Sequence, residues 1–513
     1  MTNPIQGFSR GDDDPSACGR PTPMSVRSFR SRAVSSIGWV AADKWGNRFI
    51  ALGVLIVLGR LLDAEDFGLV ALTVIIVSIG AIIVDAGFSK ALVQKDQLEE
   101  SDRSTAFWFT VATSCLLVVG MIVFAGPIAH FLGDQRLVPI LRWLSIAVIA
   151  NAISSVPAAL LEREFGFRKL AIRRLLGTAV GGISAIVAAL AGLGVWSLVI
   201  QTIFTSVVSL LSLWTTSPWR PHFVFSSARF RLLWGVGGSV LGIELIGVVA
   251  SQADRLVIGT VLGAEVLGYY FLAMRVVSIL VELFSSVFSG ISLTAFSRLQ
   301  KQPDRLVSLF YRLVEISSNV AIPVFTLAAL TAPVMIPLVF GHEWNAAVVT
   351  FQILCILGAL NAIGYFDRSV LIASGNSSLA FLLTFGQGIL GVALIVFSSQ
   401  YGVVAVAIAV VARQYLFWPV RLLILRVAVN IRPVHYLVRW LRPFLFSALS
   451  VVIIAAMFWR TTDPIDAAAF YVGACVVVVV TVSGLGTREV LRGALNELGG
   501  SVGTSFSQSR MDT

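Results

Sequence analysis

The chain has 513 residues, of which 57% are hydrophobic and only 13% charged, with a mean hydropathy of +0.87. Soluble domains carry roughly 25% charged residues, so the composition excludes an ordinary soluble enzyme or binding module and points to a polytopic α-helical membrane protein. The net charge of +10 follows from where loops place Lys and Arg, and it calls for no nucleic acid.

In chain order, residues 1–30 are polar and lack an apolar run leading to a cleavage site, so they read as a disordered cytoplasmic tail without a secretory signal. Asp12–Asp14 belong to that tail and read as a solvated run rather than a metal or sugar-nucleotide motif. Crossing a bilayer takes about 20 mainly apolar residues per helix. Fourteen such segments follow, approximately at 35–60, 67–88, 106–131, 138–160, 176–194, 196–216, 233–262, 266–296, 309–339, 346–366, 377–398, 401–425, 440–459 and 466–485. The seventh to ninth are long enough to tilt or to project beyond the bilayer. Between segments 12 and 13, Arg426–Arg442 mixes basic residues with Val, Tyr, Leu and Trp, a composition suited to lying along the cytoplasmic interface. Residues 488–513 form a second polar tail.

With the N-terminus inside, 29 of the 38 Lys and Arg fall in cytoplasmic loops, tails and bordering span ends. The outer loops hold only Arg60, Arg136, Arg142 and Arg460, and five lie within helices: Lys44, Arg48, Arg255, Arg275 and Arg413. The asymmetry predicts both termini cytoplasmic and an even number of spans.

A repeat adds to this. Val57–Ser89 and Val257–Ser289 align without a gap and share twelve identities, among them Gly59/Gly259, Ala64/Ala264, Glu65/Glu265 and Gly68/Gly268. The 200-residue offset covers six segments, so both copies enter the membrane with the same orientation. That is a parallel repeat, and transporter substrate sites lie where such bundles meet. GRLLDAEDFG and GTVLGAEVLG read as helix–turn–helix joints on the outer face. Their glycines permit close packing, and an acid sits at the positive start of the next helix.

Familiar catalytic signatures are absent from the sequence: it has no P-loop, dinucleotide fingerprint or nucleophile elbow. Cys18, Cys115, Cys355 and Cys475 have no metal-ligand spacing, and His130, His222, His342 and His435 are scattered. Short outer loops leave no room for an extracytoplasmic catalytic domain.

Chemistry therefore falls to ionisable groups inside the bilayer, where a charge is costly unless it faces water, a ligand or an opposite charge. Lys44 and Arg48 are one turn apart on one face of segment 1, with Asp43 about 100° away. They read either as a cationic wall for a phosphate or acidic sugar, or as a snorkelling Lys44 and an Arg48 paired with Asp85. In the second half stand Asp254, Arg255, and Arg275 with Glu282 seven residues on, hence on one face. Glu244 lies one repeat length from Lys44, an acid aligned with a base that reads as a gate, a coupling-proton site or a salt bridge between bundles. Arg312 with Glu315 and Asp367 with Arg368 read as cytoplasmic-end ion pairs, and Arg413 with Gln414 as lipid-headgroup contacts.

The run Gly-Arg-Leu-Leu followed by Asp-Ala-Glu-Asp-Phe-Gly, DAGFSKALVQ at 85–94 and Gly341-His-Glu-Trp together resemble the polysaccharide-transporter branch of the multidrug/oligosaccharidyl-lipid/polysaccharide exporter superfamily, most of all the Wzx-type flippases that export colanic acid and related exopolysaccharides. The likeness covers roughly residues 30–430. It implies an all-α fold of about 14 transmembrane helices: six-helix lobes at 31–218 and 219–430 related by a pseudo-two-fold, and two additional helices within 431–487. It also implies flipping of a polyprenyl-diphosphate-linked oligosaccharide by alternating access through a cationic central cavity, with no cofactor, proton or sodium coupling in some members, and polysaccharide polymerase and glycosyltransferases as partners. Lys44, Arg48, Arg255 and Arg275 have the charge for that cavity; Asp43, Asp85, Glu244, Asp254 and Glu282 are the candidates for coupling or gating. A drug or metabolite exporter of the same superfamily, a membrane-embedded polymerase or glycosyltransferase, and a non-transporting scaffold remain as alternatives.

Overall fold

The structure, a computed structural model, describes residues 45–95, 97–164, 166–300, 302–458, 470–481 and 484. The described residues are predominantly helical, without a strand. The apolar sequence leads here directly, because a helix satisfies its own backbone hydrogen bonds where no water can.

The helices are α1 (45–61), α2 (Ala64–Asp85), α3 (Phe88–Gln94), α4 (Glu100–Val123), α5 (Ala125–Leu132), α6 (Leu137–Arg163), α7 (Phe167–Leu190), α8 (Trp196–Thr216), α9 (Ser227–Val261), α10 (Ala264–Arg298), α11 (Pro303–Phe340), α12 (Ala347–Ala373), α13 (Ser377–Ser398), α14 (Val403–Val429), α15 (Pro433–Phe458) and the shorter α16 (Phe470–Thr481). Eleven are long and apolar enough to cross a membrane, or twelve with α9, which bends by 50° between Gly235 and Val240. The sequence predicts fourteen. Its first and last segments run partly outside the described residues, which is why α1 and α16 fall short of that test. The tails at 1–30 and 488–513, with Cys18, also lie outside the described residues.

Packing follows chain order. In the first half α7 lies along α8, and α6 runs beside both α4 and α8. In the second, α10 and α11 pack on α12, α15 on α11, and α13 on α14 and α9. The halves meet where α2 presses on α9 and α10, and where α3 and α4 reach α9. One core of buried residues runs through this junction, including Leu58, Phe67, Leu72, Tyr270, Leu272 and Trp344.

Both predicted joints form, with turns at Leu62–Asp63 and Leu262–Gly263. Their glycines do more than turn the chain. A Cβ at Gly68 would lie 2.5 Å from the Ala264 carbonyl carbon and 3.0 Å from its Cα, and a Cβ at Gly268 would meet Ala64 at the same two distances. The repeat copies thus cross backbone against backbone, each glycine receiving the other copy's alanine. Trp344, in the 3-10 turn His342–Ala346, plugs the same end: it is 1% exposed, donates from Nε1 to Gly59 O at 2.7 Å, and packs on Phe67 and Tyr269. Arg60 caps the end of α11 by donating to the Leu338 and Val339 carbonyls.

At the far end of α2 a second crossing forms. Ala86 and Gly87 adopt left-handed conformations (φ 46° and 71°) that end α2 and start α3. A Cβ on Gly87 would sit 2.7 Å from Gly237 O, and one on Gly237 would sit 2.6 Å from Ala86 O. Nineteen residues separate Gly68 from Gly87, about 28 Å at 1.5 Å per residue. That is close to the thickness of a hydrocarbon core.

Candidate functional site

Between these crossings, charged side chains from α1, α9 and α10 gather. Arg48 of α1 donates from Nε to Glu282 Oε2 of α10 at 2.9 Å, joining the two halves. Glu282 acts electrostatically on Arg275, as does Arg255. Arg275 is exposed and makes no hydrogen bond among the described residues. Arg255 lies over the Phe271 ring at 5.5 Å and donates from Nη1 to Gln252 Oε1 at 2.8 Å. Counting from the start of α10 at 1.5 Å per residue, Arg275 stands about 16 Å in and Glu282 about 27 Å in. These two charges therefore stand about 10 Å apart along α10, inside the span. Arg48, Arg255, Arg275 and Glu282 come together; Asp43 and Lys44 lie outside the described residues.

Several side chains found partners the sequence did not indicate. Arg48 pairs with Glu282 and not with Asp85, which instead accepts from Ser89 Oγ one turn along its own chain. Glu244 is paired with Lys90 of α3. Asp254 is a buried acceptor for Tyr270 Oη at 2.6 Å, stapling α9 to α10, while its Oδ1 has no partner. In the sequence Tyr270 carries no functional signal, because a tyrosine in an apolar run reads as core.

The second half holds another polar network. Asp367 is 3% exposed, lies 3.4 Å from Arg421 Nη1, and accepts from Tyr436 Oη at 3.1 Å. Arg421 also reaches Gln387, which donates to Gln414, and Gln414 donates to Asn361 at 2.7 Å. Gln414, Trp418, Arg421 and Trp440 line a narrow crevice beside this network. Asp367 pairs with Arg421 rather than with its expected partner Arg368, because an i+1 neighbour yields to a better-placed group on an adjacent helix, and Glu315 also pairs with Arg439 of α15. Gln414 takes part in this internal network, and Arg413 packs against Gly391. Arg426–Arg442 is no surface-lying segment: it forms the end of α14, a turn through Asn430 (φ 59°), and the start of α15, with Tyr436 fully buried.

Ion pairs also fasten the helix ends. Lys95 lies 2.5 Å from the buried Asp102, and Arg229 at the start of α9 donates to both oxygens of Glu99 at 2.6 Å. At the other end of α4 and α6, outside the spans, Arg136 bonds Asp134 and reaches Glu65 at 2.5 Å. The Arg136 hydrogen bond holds the Asp134 carboxyl below the usual carboxylate range. Among the described residues, no group of three or more His, Cys, Asp or Glu side chains is placed to hold a metal. Cys355 and Cys475 are buried and Cys115 is exposed.

Comparison with known proteins gives this arrangement its setting. Residues 57–349 match the profile of a family described as polysaccharide biosynthesis protein. The succinoglycan biosynthesis transport protein ExoT of Rhizobium meliloti is 30% identical over 61% of this chain, and the match spans 63% of that protein's length. The lipopolysaccharide biosynthesis protein WzxC of Escherichia coli is 24% identical, over 73% of this chain and 76% of the relative. The teichuronic acid biosynthesis protein TuaB of Bacillus subtilis is 26% identical over 66% and 73%. Among solved structures, the lipid II flippase MurJ in an inward closed conformation superposes with a TM-score of 0.73 at 15% identity, covering 88% of this chain and 99% of MurJ. An inward-facing multidrug MATE transporter superposes at 0.60 with 16% identity, over 75% and 94%. These two show a shared fold.

Proposed function

Because the chain belongs to the polysaccharide biosynthesis protein family, we propose that it is a flippase moving a polyprenyl-diphosphate-linked oligosaccharide from the cytoplasmic to the outer leaflet for surface polysaccharide synthesis. The observation that carries this reading is the group of Arg48, Arg275 and Arg255 at the junction of the two halves, between the backbone crossings at the two ends of α2. A diphosphate and polar sugars need a polar, positively biased path through about 30 Å of hydrocarbon.

In this reading residues 31–218 and 219–430 are two six-helix lobes of a fourteen-helix protein in the inner membrane, with both termini cytoplasmic. They rock about the Gly68–Gly268 crossing on the outer side, while the Gly87–Gly237 crossing and the Lys90–Glu244 pair part on the cytoplasmic side. The diphosphate sits on the arginines and the lipid tail stays in the bilayer. Transport is a conformational cycle without covalent chemistry. ExoT, WzxC and TuaB, whose names tie them to polysaccharide pathways, support this substrate class over a drug or metabolite. The mixed-sign, arginine-rich junction supports it too.

Deleting the gene tests the proposal: lipid-linked repeat units accumulate on the cytoplasmic leaflet and a surface polysaccharide is lost. Plasmid-borne Arg48→Ala and Arg275→Ala proteins insert at normal levels and fail to restore export. Normal polymer without accumulated intermediate, in a strain with no second flippase gene, overturns the reading.

A further inference from the structure

We infer that Glu282 is a built-in stand-in for the substrate's diphosphate, an internal counter-ion that an entering ligand must displace, and that this displacement couples binding to movement of the lobes. The inference rests on the flippase reading above. Glu282 is the acid that Arg48 holds, and it reaches Arg48 across 234 residues of sequence, from one half of the molecule to the other. It is also the acid nearest in effect to Arg275 on its own helix face. Yet it satisfies these cations only in part. Arg48 Nη1 is enclosed without an acceptor, and Arg275 has no hydrogen-bond partner among the described residues. A carboxylate offers two oxygens on one centre. A diphosphate offers more oxygens on two centres, enough for both guanidinium forks, and charge-assisted bonds of that kind are the strong ones.

The exchange is feasible because Glu282 is unevenly held. Its side chain is 48% exposed whereas that of Arg48 is 17% exposed, so the acid can swing into water at small desolvation cost while the arginine stays. Leaving Arg48 without any anion is the costly alternative. With no ligand, the direct Arg48–Glu282 bridge therefore holds α1 to α10. With ligand, a diphosphate takes the Arg48 donors and the bridge becomes one routed through substrate. A ligand shifts a conformational equilibrium only by its differential interaction with the two states, and loss of this bridge supplies that difference.

The test uses the purified full chain in phosphatidylcholine nanodiscs with inorganic pyrophosphate as the probe. Glu282→Gln, which keeps the shape and removes the competing charge, binds pyrophosphate about tenfold more tightly than wild type. Glu282→Asp, which keeps the charge but withdraws it from Arg48, shifts affinity the same way by less. Spin labels at the exposed Phe49 of α1 and Ser297 of α10 report a spacing in ligand-free Glu282→Gln that wild type reaches only with pyrophosphate. If wild type binds pyrophosphate through Arg275 but Glu282→Gln binds no tighter and keeps the wild-type spacing, the counter-ion role is overturned and the flippase reading stands. If wild type binds no pyrophosphate, and Arg48→Gln and Arg275→Gln behave like it, the cationic site and the counter-ion role fall together.

Discussion

Replacing Gly68 with alanine is the sharpest perturbation the fold offers. The new Cβ would sit 2.5 Å from the Ala264 carbonyl carbon, whereas carbon atoms rest about 3.5–4.0 Å apart. The axes of α2 and α10 must therefore part by about 1 Å or more. No side-chain rotation relieves the clash, because backbone stands on both sides. Overpacking a core costs about 1–3 kcal/mol, and a rigid contact of this kind belongs at the upper end. Gly268→Ala meets Ala64 in the same geometry and should cost the same. The two changes share one remedy: once the helices have moved for the first, the second finds the space already made. The double variant should thus fall about 1 kcal/mol or more short of the sum of the singles. Gly120→Ala on α4, where a Cβ meets nothing within 4 Å, serves as the control and should match wild type or slightly exceed it, alanine being the better helix former. Thermal unfolding of the purified proteins in detergent, followed by tryptophan fluorescence, reads all four. Single alanines as stable as the Gly120 control, or a strictly additive double, would refute the backbone crossing.

Trp344→Phe removes the Nε1 bond to Gly59 O but keeps most of the ring packing, so it should lower stability by about 1 kcal/mol, against about 3–5 kcal/mol for Trp344→Ala; the same unfolding assay ranks them. Arg421→Ala leaves the Asp367 carboxylate buried with only the Tyr436 hydroxyl, at a cost of about 3 kcal/mol, and the double change Arg421→Met with Asp367→Leu should recover most of that loss. Because Arg136 holds the Asp134 carboxyl below its ordinary value near 3.9, the stability it gives is present above about pH 4 and is lost as pH falls through the lower, folded value. Since Arg136 also reaches Glu65, a carboxyl with an ordinary value near 4.3, the difference in melting midpoint between wild type and Arg136→Gln should stay level from pH 8 to about 5 and shrink below about pH 4.5.

What the sequence made legible was whatever a helix writes into its own periodicity. The repeat flagged Gly68 and Gly268 as close-packing positions, and the seven-residue spacing put Arg275 and Glu282 on one face, where they interact. Partners on other helices were hidden, because a period of 3.6 residues fixes which face a side chain occupies and not which neighbour it meets. Arg48 thus found Glu282 instead of Asp85, and Glu244 found Lys90. Arg421 was counted among loop-bordering charges because hydropathy cannot distinguish a cation at the membrane surface from one turned inward to a buried acid. The Gly341-His-Glu-Trp motif was visible as a likeness, but its work, a tryptophan anchored on the Gly59 carbonyl, needed the fold.

The Gly68–Gly268 crossing also has a mechanical side. Two backbones that touch without intervening side chains have no interlocked knobs to resist a small rotation at their contact. With Gly87 about 28 Å along the same helix, α2 would serve the proposed rocking motion as a lever with its bearing at one membrane face. Each degree of tilt at the bearing moves the opposite face by about 0.5 Å, so a rotation on the order of 20° sweeps about 10 Å there, comparable to the diameter of a helix. In the proposed rocking motion, a change too small to disturb the packing around Trp344 would thereby be amplified into an aperture on the other side of the bilayer.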